Sequence, residues 1–174
     1  MKPLKEIRLS HDLTPISVNS HAKYFLERKI DWDVYLPSRG FNLQREYVWN
    51  LNQKRELINS ILIKRDIPTI SVINTVDEND IAGGDIVQII DGKQRLSTVK
   101  LFLEDEFSLI IEEKEYLFSQ LPSEYQRGIE MYLFNIREIN EPIDKPITDE
   151  QKITWFKFIN FAGTEQDKEH LEKL

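Results

Sequence analysis

One short segment holds most of the side chains that could do chemistry. The apolar residues Val87, Ile89 and Ile90 predict a strand that stops at Asp91-Gly92, where a helical pattern begins. Charged, amide and hydroxyl side chains all fall on that turn and on the first turns of the helix. The first backbone N–H groups of a helix are unpaired and lie at the positive end of its dipole, so they favour anions. The segment therefore predicts a contact with a phosphate or a nucleotide.

The phosphate-binding candidates divide by side-chain type. Lys93 and Arg95 supply positive charge, and an arginine can hold a phosphate through two parallel hydrogen bonds. Ser97 or Thr98 would add a hydroxyl donor to the same anion. Gly92 would permit a positive φ or a close approach of the phosphate to the backbone.

Two residues of this segment are catalytic candidates. Asp91 could hold the metal of a Mg²⁺–nucleotide complex, orient Arg95 or activate a water, and Gln94 is the second candidate. Structural roles stay open for Asp91 and for Arg95. An aspartate just before a helix often caps it, and Arg95 could instead form a salt bridge with one of the many acids.

Composition limits the class of protein. The chain of 174 residues has 40% hydrophobic and 30% charged residues, which predicts one globular domain over 1–174. The core would span about 30–165, with an acidic tail at 165–174. The chain has no cysteine, which excludes disulfides, thiolate metal sites and cysteine nucleophiles. It has neither a long apolar run nor a signal-peptide pattern, and we therefore expect it to be cytoplasmic without a membrane partner.

Charge is spread unevenly. The net charge of −7 argues against bulk electrostatic binding to DNA. Residues 39–66 nevertheless hold six basic side chains against three acidic ones, whereas residues 104–150 hold four against thirteen. The first segment could form a local basic face or simply a solvated helix face.

Hydrophobic periodicity predicts an α+β protein of short strands and medium helices. The clearest amphipathic helix covers 51–64, and the segment 41–50 before it is expected to be a loop anchored by aromatic residues. Further helices are predicted at 14–29, up to 103, at 122–131 and at 148–161; strands are predicted at 31–36, 69–73, 87–90, 107–111 and 132–136.

Three segments resemble one known family. Residues 91–95, Asp-Gly-Lys-Gln-Arg, resemble the Asp-Gly-Gln-Gln-Arg motif of the DUF262 family, with lysine at the third position. Residues 43–49 resemble its Gln-Arg-x-Tyr-x-Trp box, which is followed in the family's order by Gln53, a helix and Ile-Pro. Residues 158–164 resemble a later Phe-x-x-x-Asn-x-x-Gly segment, so the resemblance covers roughly 30–165.

This resemblance implies a ParB/sulfiredoxin-like domain like the N-terminal half of GmrSD-type restriction and phage-defence proteins. Such a domain would bind and hydrolyse a nucleoside triphosphate with Mg²⁺ and would regulate a nuclease domain or another defence-complex partner. The resemblance also adds Gln44, Arg45 and Asn160 to the nucleotide-binding site, with Arg45 facing Arg95 across one pocket. Rival interpretations place Trp49 in the core and explain Asn160 as ordinary helix capping.

Two other function classes remain. The chain could be a stand-alone ParB-like nuclease or DNA-binding protein, including a phage-encoded one, or a non-enzymatic adaptor or inhibitor of a defence complex. The sequence carries no P-loop, zinc or His-Asn-His-type nuclease signature. We therefore expect that the chain alone does not cut DNA efficiently, and that it is a fragment or contains only the first domain of such a system.

Overall fold

The computed structural model describes residues 12–17, 29–76 and 86–161 of the chain. Within them one main sheet is packed between helices, which confirms the predicted α+β class. The narrower assignment to a ParB/sulfiredoxin-like fold stays a prediction, as does the extent of the domain over 1–174.

The described elements follow the chain in a mixed order. Their bounds are β1 Asp12–Ser17, β2 Lys29–Asp31, β3 Tyr35–Leu36, β4 Phe41–Asn42, α1 Leu51–Leu62, β5 Ile70–Val76, β6 Ile86–Asp91, α2 Lys93–Leu103, β7 Leu109–Ile111, β8 Lys114–Tyr116, a 3₁₀ turn Phe118–Gln120, α3 Ser123–Glu130, β9 Leu133–Pro142 and α4 Asp149–Phe161.

The main sheet has five strands in the order β1-β9-β5-β6-β2. Strand β5 lies at its centre, parallel to β9 and antiparallel to β6. Strands β1 and β2 form the two edges among the described residues. The central strands are buried on both faces, so they appear in the sequence as apolar runs rather than as alternating patterns.

Two apolar clusters fill the two faces of the sheet. The larger cluster joins α1, α2 and α3 to alternate residues of the central strands, such as Val72 and Ile89. The smaller cluster joins α4 and the β3–β4 hairpin to the opposite face, where Ile73 and Ile139 point. The sheet therefore separates two layers, and both layers can contribute side chains to one site at the ends of its inner strands.

Helix α1 begins where the sequence predicts it to begin. Asn50 accepts a hydrogen bond from the Gln53 backbone N–H at 3.0 Å, and the Gln53 side chain accepts one from the Asn50 N–H at 3.0 Å. Leu57, Ile58 and Ile61 are buried on one face of the helix. This capping box and apolar stripe confirm the amphipathic helix and fix its position beside the sheet.

Helix α4 is held to the sheet by a buried polar chain. Lys152 Nζ donates to Gln88 Oε1 at 2.7 Å, and Gln88 Nε2 donates to Glu141 Oε1 at 2.7 Å. The same carboxylate accepts from the Ile147 N–H and the Thr75 hydroxyl, each at 2.7 Å. Each polar atom buried in this network has a partner, as a polar group in a core requires, and the network fixes the start of α4 against the sheet.

The predicted N-terminal helix is wrong over its first residues. Residues Asp12–Ser17 form a strand that pairs antiparallel with β9, with Pro15 opposite Asn135. A proline is tolerated there because β1 is an edge strand in the described sheet. Residue 29, the last of the predicted helix, begins strand β2, and residues 18–28, like the predicted acidic tail at 165–174, lie outside the described residues.

Two strand predictions have wrong bounds. The segment 31–36 is interrupted by a turn in which Val34 has φ 53°, so it forms the end of β2 and the short β3. Strand β9 extends to Pro142, well past the predicted end at 136. The longer strand is possible because β5 pairs with it in parallel along its second half.

Candidate functional site

Strand β6 turns sharply into α2 at Gly92. Gly92 has φ 105°, a conformation that side chains disfavour, and a Cβ atom there would lie 2.9 Å from Ile70 Cγ1. The predicted positive φ is therefore confirmed. The close approach is to the side chain of a neighbouring strand residue, so Gly92 also packs the turn against the sheet.

The two outer residues of the pentapeptide form an ion pair. Arg95 Nη2 lies 2.6 Å from Asp91 Oδ2, four residues earlier, and both side chains are largely buried. Arg95 Nη1 also donates to the Pro68 carbonyl oxygen. The salt bridge left open for Arg95 is thus present, and it holds the guanidinium in a fixed place.

Lys93 pairs elsewhere. Its side chain is 8% exposed, and its ammonium group forms a salt bridge with Asp33, in the turn after β2. A buried ammonium needs such a partner because burial without one is costly. The charge of Lys93 is therefore compensated within the fold.

The amides of the two motifs join loop to helix. Gln94 Oε1 accepts from the Val48 N–H at 3.0 Å, and Gln94 Nε2 donates to the Glu46 carbonyl oxygen at 2.9 Å. From the other motif, Gln44 Nε2 donates to the carbonyl oxygen of Ile90. These bonds hold the loop before α1 against the end of β6 and the start of α2.

A hydroxyl pair completes this junction. The Tyr47 hydroxyl lies 2.8 Å from Thr98 Oγ1, which donates to the Gln94 carbonyl oxygen at 2.7 Å. Burial raises the pKa of Tyr47, partly offset by its bond to Thr98. We call Gln44, Tyr47, Gln94 and Thr98 the clamp, because all four tie the first motif to the second.

A cleft of about 1130 Å³ opens beside the clamp, where the central strand β5 begins and β6 ends. Trp49 and α1 line one side, and the end of α4, with Phe158 and Asn160, lines another. Strands β5, β6 and β9 form its inner wall through Ser71, Asp91 and Arg137. Both helical layers therefore meet here around polar residues of the sheet. We call this volume the cleft.

Three arginines and three carboxylates line the cleft: Arg65, Arg95, Arg137, Glu56, Asp66 and Asp91. Arg65 pairs with Glu56 at 3.1 Å, where both side chains are well exposed, and Arg95 pairs with Asp91. Arg137 makes no hydrogen bond or ion pair within the described ranges, and its Nε atom is buried. Its charge is therefore not compensated by any described carboxylate.

Arg137 belongs to a row of polar residues across three strands. In the sheet register Arg137 on β9 pairs with Ser71 on β5, and Ser71 pairs with Asp91 on β6, next to an irregularity where the register shifts between Ser71 and Val72. Paired residues on adjacent strands carry their side chains on one face. The Ser71 hydroxyl oxygen is also buried without a hydrogen-bond partner in the described structure. A buried polar group left in this state costs about 1–3 kcal/mol.

One family model matches the chain. It is described as GmrSD restriction endonuclease, N-terminal domain, and it covers residues 25–174. This chain belongs to that family. No curated protein and no solved structure matches the chain. The family resemblance read from the three motifs is therefore confirmed, and it associates the chain with DNA restriction systems.

In this GmrSD N-terminal domain only part of the predicted site faces the cleft. Asp91, Arg95 and Asn160 line it. The other predicted residues do not; they are Gln44, Arg45, Gly92, Lys93, Gln94, Ser97 and Thr98. Most of this second set carries contacts that build the fold around the turn. The binding and catalytic roles predicted for them stay predictions.

Arg45 does not share the cleft with Arg95. It is exposed and makes no hydrogen bond or ion pair in the described part of the chain. Its neighbours explain this, since Leu43 is fully buried and Gln44 bonds to β6, so the chain turns Arg45 outward. Arg65 and Arg137 are the arginines that line the cleft with Arg95.

Sequence reasoning missed Arg137, Ser71 and Arg65 as site residues. Arg137 was hidden because the strand was ended at 136, within a strongly acidic stretch of the sequence. A strand predicted to continue past 136 would have placed Arg137 between the apolar residues Ile136 and Ile139, within the sheet. Ser71 had a weak signal, as the lone hydroxyl of the run Ile70–Ile73.

Asn160 lies at the end of α4, and its amide is partly used. Nδ2 donates to the Phe156 carbonyl oxygen at 2.9 Å, which is local bonding within the helix. Its Oδ1 atom has no recorded bond among the described residues. Across the described ranges no group of three or more acidic or histidine side chains could hold a metal, and no helix is long and apolar enough to cross a membrane.

Proposed function

We propose that this GmrSD N-terminal domain binds a nucleoside triphosphate in the cleft and thereby regulates DNA restriction or phage defence. The observation that carries the proposal is the Asp91–Arg95 pair, which opens on a volume of about 1130 Å³. Small-molecule pockets usually measure about 300–1000 Å³, so the cleft has room for a nucleotide with its phosphates. Membership of a restriction family supplies the biological setting.

Arg95 would contact the phosphates. A guanidinium has five N–H donors, and Asp91 and Pro68 take up only part of them. The salt bridge holds the group in one orientation, so little freedom is lost when a ligand binds. Charge-assisted bonds to phosphate oxygens are stronger than bonds between neutral groups.

The residues present also fit a magnesium ion brought by the nucleotide. Mg²⁺ in nucleotide sites is held by one or two carboxylates together with phosphates and water, so it needs no cluster of acids. Asp91 Oδ2 accepts from Arg95, while Oδ1 has no recorded partner in the described structure. Asp91 would therefore hold the ion, which supplies positive charge against the phosphate oxygens.

Aromatic side chains would receive the base. Trp49 and the exposed Phe158 line the cleft from two different elements. A base can stack on an aromatic face irrespective of its identity. The Oδ1 atom of Asn160, which accepts no hydrogen bond from the described residues, would accept one from the base or the sugar.

Hydrolysis, if the domain performs it, would depend on Asp91. The Gln94 amide is bonded at both ends to the loop, so we assign it a positioning role, and its predicted catalytic role stays a prediction. The domain would act in the cytoplasm, where nucleotide and DNA are available, by gating a nuclease domain or partner.

A thermal-shift screen of nucleoside triphosphates, with and without Mg²⁺, tests the binding proposal. We expect a raised melting temperature with a triphosphate, since a ligand at 100 times its Kd stabilises a protein by about 2.7 kcal/mol. Arg95→Ala should lose about 1.5–3 kcal/mol of binding, tenfold or more in affinity. Arg127→Ala is the matched control, because Arg127 is exposed and lies outside the cleft.

Two results would count against the proposal. One is the absence of any triphosphate-induced shift in the unaltered chain. The other is an Arg95→Ala variant that folds and binds as well as Arg127→Ala, which would leave Arg95 with a structural role only. Metal-dependent DNA cleavage that Asp91→Ala abolishes would instead favour the stand-alone nuclease.

A further inference from the structure

The charges of the cleft are not balanced residue by residue. Arg65 and Arg95 each have a carboxylate partner, at 3.1 Å and 2.6 Å. Arg137 has none among the described residues, although part of its guanidinium is buried. An uncompensated cation held in a partly buried place attracts an anion more strongly than a paired one.

A second unpartnered group stands beside it. Ser71 is 1% exposed, its hydroxyl oxygen bonds to nothing in the described structure, and it pairs with Arg137 in the parallel register of β5 and β9. Ser71 and Arg137 line the same cleft. The Ser71 hydroxyl and the Arg137 guanidinium lie on one face, and both can donate hydrogen bonds to the oxygens of a tetrahedral oxyanion.

We infer that Arg137 and Ser71 form an oxyanion subsite that takes one phosphoryl group and is the main phosphate anchor of the cleft. The inference rests on the proposed function in that the phosphoryl group is taken to belong to the nucleotide. Asp91 lies on the other side of Ser71, but its pairing with Arg95 keeps its negative charge from opposing the anion. Arg95 thus has a positioning role here in addition to its own phosphate contact.

The position of the subsite favours binding. Ser71 lies in the central strand of the sheet, and Arg137 lies in the next strand. Donors fixed by a sheet lose little conformational freedom when they bind a ligand. The subsite is therefore preorganised, whereas a surface arginine such as Arg65 must be ordered first.

Isothermal titration with two probes, inorganic pyrophosphate and ATP with Mg²⁺, tests the inference. The chain would be compared with Arg137→Gln, Ser71→Ala and the control Arg127→Gln, which removes the same charge outside the cleft. We expect Arg137→Gln to weaken both probes about tenfold or more, and Ser71→Ala to weaken them by a smaller factor. Arg127→Gln should bind as the unaltered chain does.

The melting temperature without ligand separates a binding role from a structural one. Removing an unpartnered buried hydroxyl should leave the melting temperature of Ser71→Ala unchanged or raised. A fall in the melting temperature with unchanged affinity would overturn the inference. Ser71→Ala removes only a hydroxyl group, so we expect this variant to fold. Its affinity for the two probes therefore tests the subsite even if Arg137→Gln folds poorly.

The two probes distinguish failure of the subsite from failure of the proposed function. Binding of ATP that neither Arg137→Gln nor Ser71→Ala weakens would overturn the subsite alone. Binding of pyrophosphate that depends on Arg137, without binding of any nucleotide, would support the subsite and overturn the nucleotide proposal. Failure of both probes to bind would overturn both.

Discussion

The clamp and the cleft both use side chains of the segment 91–95, Gln94 in the clamp and Asp91 and Arg95 in the cleft, yet the polar groups of the two regions are in opposite states. In the clamp both ends of the Gln94 amide are hydrogen-bonded, and the Tyr47 and Thr98 hydroxyls bond to each other. In the cleft Ser71 and Arg137 hold polar atoms without partners in the described structure. A saturated network stabilises a fold, whereas unsatisfied donors beside an open volume are available to a ligand.

The division follows from local geometry at the start of α2. Asp91 and Arg95 are four residues apart, so their side chains meet on one side, where the cleft lies. Gln94 points towards the loop before α1, and Lys93 points towards Asp33. Residues of one motif therefore need not contact one ligand. Lys93 and Gln94 make contacts within the fold, and these contacts hold the segment that carries Asp91 and Arg95 in place.

The largest effect is expected at Gly92, where clamp and cleft diverge. Gly92→Ala should lower the free energy of unfolding by about 2–4 kcal/mol, since the new Cβ is strained at φ 105° and meets Ile70. Urea unfolding measures the loss. Gly40→Ala is the control, because Gly40 has φ 74° but nothing within 4 Å of its Cβ position. Its cost should be strain alone, about 1–2 kcal/mol; equal losses at both glycines would contradict the close packing.

A smaller effect is expected when the clamp alone is broken. Gln94→Ala removes two hydrogen bonds to the loop and leaves the Val48 N–H to water, at a cost of about 1–3 kcal/mol of stability. Nucleotide affinity of the folded variant should change less than in Arg95→Ala, because Gln94 does not line the cleft. Urea unfolding and titration of one preparation measure both quantities. A variant of normal stability without turnover would instead return Gln94 to the catalytic role.

The smallest expected effect is the pH dependence of the clamp. Burial raises the pKa of Tyr47 above its ordinary value of about 10. A raised folded-state pKa contributes stability that is fully present below pH 10 and is lost as pH rises through the folded-state pKa. Tyr47→Phe should therefore lose less stability than the unaltered chain between neutral pH and pH values above 10.

Tyr35→Phe is the matched control for that measurement, because Tyr35 is 56% exposed. Its unfolding curves should follow those of the unaltered chain at each pH. Burial also raises the pKa of Tyr132, so the difference between spectrophotometric titrations of the unaltered chain and of Tyr47→Phe would show the raised pKa of Tyr47. An identical alkaline loss in Tyr47→Phe and Tyr35→Phe would show that burial of Tyr47 has no energetic consequence.

Much of the architecture could be predicted from local patterns. The apolar stripe that includes Leu57, Ile58 and Ile61 predicts α1, and the strand–Gly–helix pattern predicts β6 and α2. The prediction of an N-terminal helix is wrong because Thr14-Pro15, a pair typical of a helix start, is also compatible with an edge strand. A helix start signal in the sequence does not show that another strand lies beside the segment. Pairing with β9 makes residues 12–17 a strand.

The sequence by itself determined the family, the α+β class and the Gly92 turn, because each depends on residues close in the chain or on a motif. Only the tertiary structure decided that Arg137, Ser71 and Asp91 form one row and that Arg45 lies outside it. The physical reason is strand register. Distant residues become neighbours only when strands pair, and hydrophobic periodicity fixes which face a residue occupies but not which residue lies opposite.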